Sequence, residues 1–486
     1  MIIQQITDPK LAHFAYLLGC QQTGKAILID PQRDIDRYQK HAAAASLTIV
    51  AVADTHIHAD YLSGLRQFAE LPGVMIYASG EGGDEWQYEW LAGSSCPYRL
   101  LKNGDNITVG SIRLDVRHTP GHTPEHLTYL VTDLVRNPDQ PLGLISGDFV
   151  FAGDVGRPDL LERAARQQGT MESSAKALYE SLKLFKHLSP ELLLWPGHGA
   201  GSACGKSLGA VPISTVGYEL AANPSIRASR DQDEFLDYIV SGQPEPPAYF
   251  ARMKTENREG PALLKSLPEP KAITVGEIDL LIKTKGMALV DTRPWDQYRA
   301  GHLPGALFVP FDRSFTTTIG SYVLPSEKIC LVIDPDSVKD AVVDCIRIGL
   351  DQVTSYLSPD SLSKYVASGG QVQRANGITM AELAGQLDRP DIFLLDVRRE
   401  VELAETGEIE GAYNIAHLQL LLRYEELPRG KHIHLYCRGV DRSRQAYGFL
   451  ERQGYTVTHV EGGIAAWQES RRLLVPHAMS RQQAQR

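Results

Sequence analysis

No stretch of these 486 residues is long and apolar enough to cross a bilayer. The most apolar early run, residues 42–53, falls short of the roughly 18–20 residues that a spanning helix needs. Basic residues are in deficit: 49 Lys and Arg stand against 59 Asp and Glu, a net charge of −10. That balance argues against nucleic acid or an anionic membrane surface as the main partner. A small anionic substrate remains open, because local cations decide its binding. The opening MIIQQITDPKLAHF has no basic segment followed by an apolar one, so the expected compartment is the reducing cytoplasm. Cysteine is scarce as well, with six at positions 20, 96, 204, 330, 345 and 437, irregularly spaced. So few thiols predict no disulfide framework, and each is either core filler or a reactive group.

The length exceeds what one hydrophobic core usually organises, so several domains are expected. In the first half, short apolar runs at 26–30, 47–56, 99–101, 112–119 and 142–148 read as strands, and most run into Gly- or His-rich loops. Apolar residues at three-to-four spacing predict a long helix over 170–188 and shorter ones over 60–71 and 231–240. Prolines cluster in 242–270, which predicts a linker over 251–270. The second half repeats itself. ALVDTRPWDQYRAGHLPGALFVP (288–310) matches FLLDVRREVELAETGEIEGAYNI (393–415), pairing Asp291 with Asp396 and Arg293 with Arg398. In each copy a further strand and helix follow, as in small α/β domains built on parallel sheets.

Four His/Asp clusters follow strand-like runs: Thr55-His56-Ile57-His58-Ala59-Asp60-Tyr61, the Thr119–His126 segment TPGHTPEH, Ser146-Gly147-Asp148 and Pro196-Gly197-His198. One such histidine alone would read as a structural residue. Four clusters at strand ends read as a metal site, with neighbouring glycines letting the backbone bend close to an ion.

THIHAD, TPGHT, SGD and PGHG, in this order, resemble the metallo-β-lactamase superfamily, in its glyoxalase II and persulfide dioxygenase branch. The resemblance covers about residues 1–250 and implies an αββα sandwich with the metal at the sheet edges. Hydrolases of the superfamily continue the first motif as HxHxDH and bind two metals; this sequence has Tyr61 at the last place. The resemblance to persulfide dioxygenases implies His56, His122 and Asp148 as ligands of one Fe(II) per chain. Two imidazoles and a carboxylate form the facial triad of non-haem iron oxygenases. His58, Asp60, Tyr61, Arg157 and His198 are then expected around the ion or the substrate. Cys204, six residues after His198 in a loop of small residues, is a candidate reactive thiol beside Lys206. The implied reaction consumes a small thiol persulfide and O₂ and releases sulfite.

In the last hundred residues, Cys437-Arg438-Gly439-Val440-Asp441-Arg442 lies between a strand and a helix. A loop of that length can turn its N–H groups toward the sulfur, while the helix N-terminus, Arg438 and Arg442 favour an anion there. The loop, the DVR before it and EGGIAAW after it resemble rhodanese domains over about 375–475, with sulfite or thiosulfate as sulfur partner. A phosphatase loop would place its Arg one residue later. In the first copy, over 271–370, Asp334 is read at the place of Cys437, so this copy is expected to be a rhodanese-like spacer without a thiol. Residues 476–486 read as a tail. The competing readings are a dizinc thioester hydrolase with rhodanese appendages and a persulfide carrier or sensor. The motifs leave the carrier thiol and a homo-oligomeric state open.

Overall fold

The computed structural model describes residues 1–163, 169–470 and 472–477, which divide into two compact units. The first unit, Met1–Ser266 together with residues 346–349, is built on two six-stranded sheets. One runs Ile2–Asp8, His13–Cys20, Lys25–Ile29, Thr48–Ala53, Met75–Ser79, Tyr98–Leu101; its first three strands are antiparallel and the rest parallel. The other is ordered Ser214–Thr215, Leu193–Pro196, Gly143–Gly147, Leu127–Asp133, Ile112–His118, Asn106–Val109.

Side-chain alternation explains why the sheets stack. On His13–Cys20, Tyr16 and Leu18 face inward and meet Leu114, Val116, Tyr129 and Ile145 of the other sheet. Ala15 and Leu17 face outward and pack with Tyr38 and Ala42 of the helix Asp36–Ala44. On the far side, Leu144 and Leu194 pack on Leu178 and Leu182 of the helix Thr170–Phe185. Every strand of the centre is apolar on both faces, and four layers, helix–sheet–sheet–helix, result. Each such buried aliphatic side chain contributes about 1.5–3 kcal/mol.

Two expectations change. The helix expected over 60–71 is only Leu65–Ala69, because residues 58–63 stay irregular and buried. Residues 251–270 are not a free linker: the helix Phe250–Glu259 buries Phe250, Met253, Lys254 and Asn257 within the first unit, which extends to Ser266. The prolines mark where the chain wraps, while Phe250, Met253, Lys254 and Asn257 recur at the spacing of one helix face. Of the expected tail, residues 478–486 lie outside the described residues.

The second unit holds two five-stranded parallel sheets with one order. The first is Lys271–Ala272, Val353–Leu357, Lys328–Val332, Met287–Asp291, Leu307–Phe308, and the second Gly377–Thr379, Val457–Glu461, His432–Tyr436, Ile392–Asp396, Tyr413–Asn414. The repeated Asp-x-Arg is structural in both. Arg293 Nη2 donates to Asp291 Oδ2 at 2.7 Å and to the Gly301 carbonyl at 2.8 Å. Arg398 Nη2 donates to Asp396 Oδ2 at 2.6 Å and to the Gly407 carbonyl at 2.9 Å. Asp291 pairs with Val332 across the first sheet as Asp396 pairs with Tyr436 across the second. The residue matching Cys437 is therefore Ile333, one earlier than the Asp334 expected from sequence, and Asp334 instead caps a short turn by accepting from the N–H of Asp336 at 3.0 Å. No described helix is long and apolar enough to cross a membrane.

Candidate metal centre and sulfur-transfer loop

His56, His122 and Asp148 leave three different loops, yet their ligand atoms all lie within 4.8 Å of one another, deep in the first unit. Asp148 Oδ2 stands 3.9 Å from His56 Nε2 and 3.5 Å from His122 Nε2. The other nitrogen of each ring is engaged: His56 Nδ1 with Thr55 Oγ1 at 2.9 Å, and His122 Nδ1 with the Arg157 carbonyl at 3.1 Å. Both rings are thereby turned so that Nε2 faces the carboxylate. Burial, with neighbouring imidazoles, holds His56 well below the usual histidine range, and burial brings His122 down to about 4. Both rings are therefore neutral, the form that donates to a metal. Burial would raise Asp148, but the His198 imidazolium beside it holds it well below the usual carboxylate range. Its Oδ2 is buried with no hydrogen-bond partner among the described residues. An unpartnered buried carboxylate oxygen is costly unless a cation completes it, so the donor set fits a divalent metal. Gly197 lets this happen, since a Cβ there would lie 2.6 Å from Asp148 Oδ1.

Around this cluster the remaining expected residues take distinct places. His198 bridges two carboxylates, its Nδ1 2.8 Å from Asp148 Oδ1 and its Nε2 2.8 Å from Asp60 Oδ2. Burial opposes a charge on His198, but Asp148 and Asp60 raise it well above the usual range. Asp60, His198 and Cys204 form a second group of potential ligands within 4.8 Å. His58 belongs to a third, with Asp30 and Asp54. His58 Nε2 lies 3.2 Å from Asp30 Oδ1 and 3.0 Å from Tyr61 Oη, and Tyr61 also donates to the Asp30 carbonyl at 3.3 Å. Arg157 is fully buried and clamps Asp159 through Nε at 2.8 Å and Nη2 at 2.6 Å. It also donates to the Ala203 carbonyl at 3.1 Å, and so ties down the loop that carries Cys204. The reason given for a reactive Cys204 is not met. Lys206 sends its ammonium to the carbonyls of Tyr238 and Ser241 at 2.6 and 3.2 Å, while burial and the carboxylates of Asp60 and Asp148 push the thiol up.

Sequence reasoning missed several supports. His126 Nε2 accepts from the backbone N–H of Asp148 at 3.1 Å, and its ring stacks on His56 with centroids 5.1 Å apart. Its place inside TPGHTPEH was the available signal. Asn257, from the segment read as linker, donates to the carbonyls of His58 and Tyr61 at 2.9 and 2.8 Å and accepts from Ser63 N–H at 2.8 Å. His13, buried 4.3 Å from the Tyr61 ring, leaves both ring nitrogens without a hydrogen bond among the described residues.

In the second unit, Cys437 is buried at the end of the strand His432–Tyr436, and its loop is held from behind. The Cys437 and Arg438 carbonyls accept from Ile464 and Ala465 N–H at 2.8 and 3.1 Å. Gly463, at φ +56°, makes this approach possible, because a Cβ there would lie 2.3 Å from the Gly439 carbonyl oxygen. Arg438 is exposed, whereas Arg442 is paired with both oxygens of Glu402, which shares the positive charge expected to face the thiol. Unforeseen from sequence, Ser443 Oγ lies 3.5 Å from Cys437 Sγ and 3.0 Å from His459 Nε2. His459 Nδ1 in turn faces Glu461 Oε1 at 3.5 Å. The first copy reaches this chain too: Arg299 Nη1 lies 3.1 Å from Glu461 Oε1, and the Trp295 ring lies 5.5 Å from that of His459.

Comparison with known proteins follows the same division. Residues 8–198 match the metallo-beta-lactamase superfamily, and residues 274–347 and 379–470 match the rhodanese-like domain. A solved metallo-beta-lactamase from Staphylococcus aureus is 38% identical, covers 74% of this chain and is itself covered to 99%, with a TM-score of 0.66. The mitochondrial persulfide dioxygenase ETHE1 of Bos taurus is 28% identical over 240 residues, 48% of this chain and 78% of the relative. A hydroxyacylglutathione hydrolase of Rhodospirillum rubrum is 26% identical over 254 residues, 52% of this chain and 82% of the relative.

Proposed function

The chain is an enzyme of the metallo-β-lactamase superfamily with two rhodanese-like domains, and from that premise we propose that it is a bifunctional persulfide dioxygenase and sulfurtransferase. The observation that carries the reading is Asp148 Oδ2, buried without a partner and facing the Nε2 atoms of two neutral imidazoles. Two histidines and one carboxylate suit a single Fe(II) and leave positions open. Bound there, iron would supply the redox chemistry by which R–S–SH, O₂ and water become R–SH and sulfite; zinc has no such chemistry. The protein's part is to hold the donors. Thr55 and the Arg157 carbonyl orient the two rings, and His198 fixes Asp148 by occupying its other oxygen. Tyr61 supports His58 where a hydrolase would carry another imidazole.

In the last domain Cys437 would carry the sulfur. Its thiolate attacks the sulfane sulfur of thiosulfate, forming Cys–S–S⁻ and releasing sulfite; the reverse step returns thiosulfate. Ser443 has one hydroxyl proton and two acceptors for it, the Val440 carbonyl at 3.0 Å and Cys437 Sγ at 3.5 Å; with His459 Nε2–H donating to Ser443 Oγ, turning that proton to the sulfur gives up the carbonyl.

Anaerobic iron reconstitution, metal analysis and oxygen uptake test the reading. About one iron per chain is expected, and His122→Ala should lose both the iron and all oxygen uptake, since two protein ligands hold iron poorly. The second reading, a dizinc thioester hydrolase, draws on the grouping of Asp60, His198 and Cys204. Two zinc ions per chain with thioester turnover would replace the first reading with the second.

A further inference from the structure

The first unit runs to Ser266 and then includes four residues from much further along the chain, 346–349. Three successive carbonyls of this segment have donors within the unit. That of Ile346 accepts from Arg33 Nη1 at 3.2 Å, that of Arg347 from the Leu62 N–H at 2.7 Å, and that of Ile348 from Arg252 Nη2 at 2.6 Å. A helix leaves its last carbonyls without partners, and the helix Val338–Arg347 ends here. Gly349, at φ +73°, closes the segment, since a Cβ there would lie 2.6 Å from Arg252 Nη1 and 3.2 Å from Leu62 Cδ1.

Arg347 is the anchor. It is only 8% exposed; its Nη1 donates to Asp8 Oδ2 at 3.0 Å, while its Nε and Nη2 grip the Asp34 carboxylate at 2.9 and 2.6 Å. Asp8 Oδ2 also accepts from Gln32 Nε2 at 2.9 Å, and Gln32 is bridged to Ser63. Arg347 thus holds residues 62 and 63 from two sides, by its own carbonyl and by way of Asp8 and Gln32. These two residues end the irregular loop 58–63, whose backbone groups depend on partners outside it. The same loop carries Asp60. Asp60 Oδ2 meets His198 Nε2 at 2.8 Å, and His198 Nδ1 holds Asp148 Oδ1 at 2.8 Å.

We propose that Arg347 is a positioning residue of the metal centre. It fixes the loop that carries Asp60, and through Asp60 and His198 it sets the direction in which Asp148 presents Oδ2 to an ion. It acts through these residues and not on the ion. The inference rests on reading His56, His122 and Asp148 as the ligands, and not on which metal they hold. By sequence, Arg347 closes the first rhodanese-like match, residues 274–347. A stretch with Ile333 in the place of a thiol then serves the metal centre.

Titration of the full metal-free chain with cobalt(II) against a chelator tests this, because cobalt reports affinity and, in its visible spectrum, the geometry of its ligands. Changing a partner behind a ligand weakens metal binding roughly 10–100-fold. Arg347 stands further back, so Arg347→Met should weaken cobalt about tenfold and change its spectrum. In the metal-free protein the amides of Leu62 and Ser63 should exchange hydrogen faster than in wild type, and sulfur transfer by Cys437 should be unchanged. Asp34→Asn loosens the same grip but leaves Arg347 and its bond to Asp8 in place. It should shift the spectrum in the same direction by less, and it is the deciding variant if Arg347→Met does not fold. Wild-type affinity and spectrum in the deciding variant would overturn the proposal and leave Arg347 a part of the fold alone. A parallel loss of sulfur transfer would mean general unfolding and overturn it as well. His122→Ala separates this from the ligand assignment. If that variant binds cobalt as tightly as wild type, the ligands are misassigned and the positioning role falls with them. If it abolishes binding while loosening Arg347 changes nothing, only the positioning role falls.

Discussion

The two copies in the second unit share one sheet order and one buried Asp–Arg pair, and they differ in the loop after the central strand, Lys328–Val332 in one and His432–Tyr436 in the other. One loop offers Cys437, with Ser443, His459 and Glu461 in line behind it. The other has Ile333 in the equivalent place and an aspartate that caps a turn. Where Leu435 faces His459 across the active sheet, Leu331 faces Tyr356 in its twin. The scaffold is thus set by buried packing and one ion pair, and the copies differ in a few residues at one strand end.

The largest effect should come from removing the one thiol that separates the copies. Cys437→Ser should lower sulfur transfer to or from sulfite by at least about 10³-fold, because a hydroxyl is too weakly acidic to carry sulfane sulfur. Oxygen uptake on a small free persulfide should persist and end at sulfite. Brief exposure of wild type to a sulfur donor should add sulfur to the peptide containing Cys437, by mass spectrometry; label found only on Cys204 would move the transfer step to the first unit.

Breaking the shared ion pair tests what is common. Arg398→Met and Arg293→Met each leave a buried carboxylate unpaired, so each should destabilise its own sheet by about 3–5 kcal/mol. Urea unfolding followed by hydrogen exchange would read this out. A loss in only one copy would show that the twin pairs do not serve the same end.

A smaller effect is expected at Ser443. Ser443→Ala removes a hydroxyl whose proton the Val440 carbonyl at 3.0 Å shares with the sulfur at 3.5 Å, so the low end of the roughly 1.5–3 kcal/mol of a hydrogen bond to an anion is expected. About a tenfold loss in transfer rate should result, with folding unchanged. No change in rate, or in the pH dependence of Cys437 alkylation, would remove Ser443 from the mechanism.

The smallest effects belong to the silent loop. Asp334→Ala should leave sulfur transfer intact and cost about 0.5–1 kcal/mol as a lost cap. Ile333→Cys combined with Cys437→Ser should restore no transfer, because Tyr356 stands opposite Leu331 where His459 stands opposite Leu435. Recovered activity would mean that a thiol alone suffices.

Much of this was legible in the sequence, for physical reasons. Period-two alternation on strands such as His13–Cys20 encodes which face each side chain buries, and the four His/Asp clusters fall at strand ends because loops there can converge. The repeat displayed itself through Asp291 and Asp396. What was not legible depends on register and on distant contacts. Placing Asp334 opposite Cys437 was off by one residue, since a loop after a strand carries no periodic signal. Asn257 reaches back to the His58–Tyr61 loop from a segment whose prolines suggested a linker. Lys206 looked close to Cys204 in sequence, yet its ammonium serves Tyr238 and Ser241.

One contact in the second unit bears on how far this protein can be shortened. Gly448 lies on the helix behind the sulfur loop, and a Cβ there would sit 2.5 Å from the Phe308 nitrogen of the silent copy. Close by, His302 Nε2 meets Glu451 at 2.7 Å. A gene trimmed to its last hundred codons would strip the cover from this helix and take Arg299 and Trp295 from the back of the thiol. The copy with Ile333 in the place of the thiol therefore covers its twin, and a minimal sulfurtransferase cut from this chain is expected to keep its fold when it begins near residue 267 rather than near residue 375.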